Sequence, residues 1–150
     1  MSHVVSVKTI IKDLDCLRAA VAMFPKLIWK ENQKKYEWWG RWVKDYHKAD
    51  AAYKNGIDPS EYGKCEHAIG MPGVTYEMGI CKRSDGQGYS PVWDFVYDGH
   101  RFNEYLGDSA EQLMTEYNRQ VMLKYGEQNG YAVNEEVLQD GRKVITLNQY

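Results

Sequence analysis

The chain has 150 residues, and its 19 Lys plus Arg against 21 Asp plus Glu leave a formal net charge of −2. With 43% apolar and 13% aromatic residues it is neither a low-hydrophobicity disordered chain nor a fibrous repeat, so a single packed domain over 1–150 is expected. Three dispersed cysteines, Cys16, Cys65 and Cys81, exclude a dense disulfide scaffold and point to a reducing compartment.

The first eight residues lack a signal-peptide pattern, and no stretch approaches the roughly 18 apolar residues of a membrane span. A cytoplasmic protein with no membrane contact is therefore expected. Val5, Val7 and Thr9 alternate with Ser6, Lys8 and Ile10, which predicts a half-buried strand. Asp13 reads as a helix N-cap. Behind it Leu14, Leu17, Val21 and Phe24 form one apolar stripe that Pro25 stops.

Between Lys26 and Tyr46 the composition changes: Trp29, Tyr36, Trp38, Trp39, Trp42 and Tyr46 lie here, and bases outnumber acids. Lys35 to Val43 reads as a strand bent at Gly40, because adjacent tryptophans followed by glycine suit a pleated surface better than a helix. Asp58-Pro59-Ser60-Glu61 predicts one short helical turn. A meander follows, with strands over Val74–Cys81 and Val92–Tyr97 joined through Asp85-Gly86-Gln87-Gly88. Trp93, Phe95 and Tyr97 would share one face of the second strand, and Asp98-Gly99 would end it.

Asp108 and Glu111 have capping-box spacing, Leu113, Tyr117, Val121 and Tyr125 recur every four residues, and Asn129-Gly130 supplies a left-handed stop. Gly126 weakens the last turn of this helix. Runs over Tyr131–Leu138 and Lys143–Leu147 flank Asp140-Gly141. A bulged hairpin is expected there, with Val137 opposite Ile145 and with Val133 and Leu147 on the same face. The element order β-α-β(n)-α-β-β implies an α+β fold, an antiparallel or mixed sheet with two main helices packed on one face.

Several of these stretches together resemble a family: Met1-Ser2-His3, Val7-Lys8-Thr9, Ile11-Lys12-Asp13-Leu14, Tyr76-Glu77-Met78-Gly79-Ile80, Trp93-Asp94-Phe95, and Gly130-Tyr131 through Asp140-Gly141 to Leu147. The family is that of the hypothetical chloroplast reading frame thirty-five, found in plastids, cyanobacteria, other bacteria and their phages. The resemblance covers roughly the first 15 residues and the last 80. Tyr36-Glu37-Trp38-Trp39-Gly40-Arg41-Trp42-Val43 and Gly63-Lys64-Cys65-Glu66-His67-Ala68-Ile69 look most like its phage-borne members, and residues 44–62 look like a local extension. The resemblance implies a small α+β domain without an assigned activity or catalytic residues. It also suggests a phage accessory or anti-defence factor acting in the host cytoplasm.

The basic aromatic segment carries the main functional expectation. Tyr36, Trp38, Trp39, Trp42 and Tyr46 could stack on bases while Arg41, Lys44 and Lys64, with His67 nearby, hold phosphates, so the ligand would be a nucleotide-like small anion or a host protein. The competing reading is that the tryptophans simply fill a sheet face. Residues 104–140 hold eight acids and two bases, which speaks against long nucleic acid. Cys65 and His67 have weak metal-ligand spacing, and no metal or cofactor is expected. The alternatives are a small enzyme using Asp94, Asp98, His100 or Cys65, and a homodimeric interaction module joined by a sheet edge.

Overall fold

Asp13 stands in extended backbone and its carboxylate accepts the Cys16 N–H at 3.0 Å, which starts α1 (Leu14–Ala22). In the computed structural model, which describes residues 5, 7, 9–38, 56–57 and 61–149, Leu17, Ala20 and Val21 of this helix turn inward. The Tyr117 hydroxyl accepts the N–H groups of Lys12 and Asp13 at 3.0 and 3.2 Å, and Lys124 Nζ lies 2.6 Å from the Asp13 carboxylate. One residue thus caps α1 and fastens it to a helix a hundred positions away.

Four antiparallel strands follow in the order β1 (Ile28–Lys30), β2 (His67–Gly70), β3 (Met78–Lys82) and β4 (Tyr89–Val92). The β3–β4 reversal is the expected one, with Gly86 and Gly88 at φ 72° and 127°. Beyond β4 the N-terminal segment contributes Val5 N–H to Trp93 C=O and a paired Ile11–Tyr89 bridge. Of the expected first strand, Val7 is buried, and Ser6 and Lys8 lie outside the described residues.

Two expected strands are corrected. The run from Val74 enters the sheet only at Met78, because the Asp98 carboxylate captures the Thr75 and Tyr76 N–H groups at 2.6 and 3.1 Å. The run from Val92 ends at once: Trp93 turns into the core, while Phe95 and Tyr97 are 52% and 72% exposed in the turn before α2 (His100–Leu106), a third helix beyond the two expected. Of the strand expected over 35–43, Lys35 makes one bridge to Lys64, residues 36–38 are irregular, and 39–43 lie outside the described residues. The turn expected at 58–61 likewise falls mostly outside them.

The two sheet faces are covered differently. Pairing places Trp29, Ile69, Met78 and Ile80 on one face, where they meet Leu17, Ala20, Trp93, Phe102, Leu106 and Leu113 in the main core. Ala68, Gly79, Cys81 and Val92 point the other way, and Tyr36, Ile57 and Tyr62 close over them as a second, smaller core. The Tyr36 ring lies flush on Gly79, where a β-carbon would overlap it. The fold is therefore α+β, with its helices on one face and an aromatic cover on the other.

Gly107 ends α2 and leads through a helical turn, Asp108–Ala110, into α3 (Glu111–Gln128). The expected capping box does not form: Ser109 and Ala110 both take left-handed backbone, and Glu111 folds back over Gly107 instead. Asn129-Gly130 stops α3 as expected, with Gly130 at φ 70°. Gly126, read as a weak point, is a contact: a β-carbon there would come within 2.6 Å of Val133 and 2.9 Å of Leu147 in the hairpin β5 (Tyr131–Val137) and β6 (Lys143–Gln149).

The hairpin register differs from the expected one. Val133 faces Leu147, as the shared face requires, but Ile145 faces Glu135, and Val137 faces Lys143. Leu138 C=O accepts the Gly141 N–H and Leu138 N–H donates to Arg142 C=O, which makes a three-residue loop with Gly141 at φ 87° as its bulge. The bulge is present, and it lies within the loop rather than between the strands. No helix among the described residues is long and apolar enough to cross a membrane.

Candidate functional site

Nine residues were singled out by sequence, and four of them are described. Tyr36 is buried under the second face, Trp38 is half-buried beside it, and Lys64 is exposed on the neighbouring turn. Trp38 packs edge-on against Tyr62 with ring centroids 5.9 Å apart, and Tyr36 and Trp38 lie 6.1 Å apart. Trp39, Arg41, Trp42, Lys44 and Tyr46 lie outside the described residues.

His67 does not join the others. Glu66 N–H bonds Ile80 C=O while His67 is the ladder partner of the same Ile80, so two residues oppose one and the strand alternation slips. The imidazole then stacks on Trp29 at 5.2 Å and its Nδ1 accepts the Asn32 N–H at 3.0 Å. Arg18 covers Trp29, and the Trp29 indole N–H donates to Glu31. Trp29 and His67 are thereby committed to the structure of the sheet rim. Cys65 belongs to the second core, away from His67, and no three metal-ligating side chains gather among the described residues.

Where the turn at 61–66 meets the end of β3, a cleft of about 370 Å³ opens. Lys64, Lys82 and Arg83 line it together with Glu61, Glu66 and Ser84, and Ile57, Cys65 and Cys81 line it more deeply. Arg83 is held in place: its Nε and Nη2 donate to Asp85 at 3.1 and 2.7 Å, and its Nη1 donates to Ser90 at 2.9 Å. The guanidinium also lies flat on Gly56, whose C=O accepts the Ser84 N–H at 2.8 Å. Lys64 pairs loosely with Glu61 at 3.4 Å, and the Glu66 carboxylate accepts the Tyr89 hydroxyl at 2.9 Å. Lys82 extends into solvent at the rim.

The thiols in this region are kept neutral. Burial pushes the Cys65 thiol up to about 12, with the Glu77 charge adding to it, and pushes Cys81 well above its ordinary value. Both donate to backbone carbonyls, Cys65 to Gln33 and Cys81 to Lys64. A neutral thiol is a poor nucleophile, so Cys65 gains no catalytic support.

Of the proposed acid–base set, Asp94 is buried, and Asp98 and His100 are spent on structure. Burial would raise the Asp98 carboxyl, but the Thr75 and Tyr76 amides outweigh it and hold the group below the usual carboxylate range. His100 Nδ1 lies 2.7 Å from the Tyr97 carbonyl, and its Nε2 lies 3.3 Å from Glu104.

Lys82 and Arg83 are the residues that sequence reading missed. Two consecutive cations at a strand end, directly before an Asp-Gly turn, were the available signal. They reach Lys64 only through the β2–β3 pairing. In comparisons with protein families, with curated proteins and with solved structures, none matches the chain.

Proposed function

We propose that the chain is a non-enzymatic binding protein that takes a small, phosphate-bearing anion of nucleotide-like chemistry into the cleft beside the second face. One observation carries the reading: three cations, Lys64, Lys82 and Arg83, line one cleft of about 370 Å³ against two acids, Glu61 and Glu66, a size in the range of small-molecule sites. Arg83 is fixed by Asp85, Ser90 and the Gly56 backbone, so its part in binding costs little side-chain entropy. The lining contributes neutral thiols and a serine around the charge. The stacking half of the expectation concerns Tyr36, Trp38, Trp39, Trp42 and Tyr46, of which Tyr36 is buried and Trp38 half-buried beside it. As a phage-borne factor, such a protein would act by sequestering a host signal molecule.

Thermal unfolding with a panel of pyrophosphate, nucleoside triphosphates and cyclic nucleotides tests this. A ligand at 100 times its Kd adds about 2.7 kcal/mol, which for a chain of this size raises Tm by about 5–10 °C. Lys82→Glu removes the shift while leaving the unliganded Tm within a degree or two. Absence of any shift across the panel, or an equal shift in Lys82→Glu, contradicts the proposal.

A further inference from the structure

We infer that β6 is an interface strand, and that two copies of this chain join through its outer edge into one four-stranded sheet, β5-β6-β6-β5. The hairpin is an isolated two-stranded sheet, and among the described residues no other strand pairs with either edge. The ribbon rests on α3 through Val133 and Leu147, and its unpaired edge offers its N–H and C=O groups to any complementary strand.

The two edges are not equivalent. Antiparallel self-pairing of β5 about its midpoint, Asn134, would bring Glu135 and Glu136 of both copies into the middle of the ladder, one pair on each face, and Glu135 is already engaged by Arg119. From Val144 to Asn148, β6 carries no charge and no proline. Self-pairing about Thr146 sets Ile145 against Leu147 of the second copy, twice, and Val144 against Asn148. The backbone phase agrees. Leu138 N–H bonds Arg142 C=O, so strand alternation makes Asn134 and Thr146 a bonded pair and turns the N–H and C=O groups of Ile145 and Leu147 away from β5. Those are the groups that the second copy would bond.

Apolar surface collects on the same unit. Of the eight large apolar side chains left exposed among the described residues, four belong to α3 and the hairpin: Met122, Tyr125, Val137 and Val144. Neither β6 nor these side chains line the cleft, so this inference stands apart from the proposed ligand.

Sedimentation of the full chain over a concentration series, with circular dichroism of each variant, tests the interface. The wild type is expected to dimerise. Thr146→Lys puts two like charges directly opposite each other on the two-fold axis and should weaken dimerisation roughly fivefold or more. Asn134→Lys, the same change one strand away, should leave it unchanged. Thr146→Cys should give a disulfide-linked dimer without reductant, because a self-opposed non-bonded pair holds its Cα atoms about 4.5 Å apart, within disulfide reach. The native thiols are buried or half-buried and supply the background. A wild type that stays monomeric at every concentration overturns the inference, as does a dimer that Thr146→Lys leaves intact and Thr146→Cys fails to cross-link. If Thr146→Lys loses its fold, cross-linking through Thr146→Cys decides.

Discussion

The two faces of the sheet solve the same burial problem with different materials. On the helical face, Leu17, Ile69, Met78, Ile80, Phe102 and Leu113 meet as aliphatic and aromatic hydrocarbon, and the Trp93 indole finds its one polar partner in Asn103 at 3.0 Å. On the other face a thin layer of Tyr36, Ile57 and Tyr62 lies over two thiols and a glycine. The first face is thick enough to stabilise the domain. The second is thin and half-polar, and it borders a cleft with cations at its rim. The thick core and the cation-lined cleft are thus separated by one layer of strands, and substitutions on the two faces should differ in what they damage.

The largest effect belongs to the helical face. Trp93→Ala should cost about 3–5 kcal/mol in denaturant unfolding; a loss below about 1 kcal/mol would mean that the indole is not the packed centre described. On the second face, Gly79→Ala forces a methyl group into the Tyr36 ring and should cost about 1–3 kcal/mol. An unchanged midpoint would show that Tyr36 does not sit on the strand.

Asp13→Ala removes the cap of α1 and the anchor of Lys124 and should cost about 1 kcal/mol, again on the helical side. This variant also carries a pH signature. The Lys124 ammonium holds the Asp13 carboxyl below its ordinary value, with burial opposing and the Cys16 N–H assisting. Stability from Asp13 is therefore present above the unfolded carboxylate value of about 3.9 and is lost as pH falls below it. The acid limb of a stability–pH curve should flatten in Asp13→Ala.

The smallest effect is alkaline and belongs to the second face. Unfolded thiols ionise from about 8.5, whereas folded Cys65 stays neutral until about 12 and burial holds Cys81 well above its ordinary value. A folded value raised above the unfolded one gives stability that is complete below about 8.5 and lost as pH climbs toward 12. Cys65→Ala should make that decline shallower, as read from melting temperatures between pH 8 and 10. An identical slope would place the thiol in water.

Regular elements longer than two periods could be read from the chain. The Asp13 cap and the Leu17–Val21 stripe located α1, and the four-residue recurrence through Leu113 and Tyr117 located α3. The three-residue β1 and the seven-residue α2 hold too little pattern to register, and α2 begins without a side-chain cap. Asp140-Gly141 announced a reversal. Its register turned on whether Gln139 also belonged to the loop, which depends on hydrogen bonds that no dipeptide encodes.

The site was legible on one side only. Lys64 stood next to the aromatic run and was noticed for that reason. Lys82 ends β3 and Arg83 follows it, and both reach Lys64 through strand pairing alone. His67 was drawn in by proximity in sequence, but strand alternation sets it on the face of Ile69 and Trp29, and the two-for-one step at Glu66 leaves Cys65 on the other.

The most direct test of the second face as the binding face is a titration of isotope-labelled protein with pyrophosphate and ATP, followed by amide chemical shifts. The expected result is saturable movement of the Lys64, Cys65, Lys82, Arg83 and Ser84 resonances while those of Leu17, Phe102 and Leu113 stay in place. Movement confined to the helical side, or none at saturating ligand, would contradict the division of labour between the two faces.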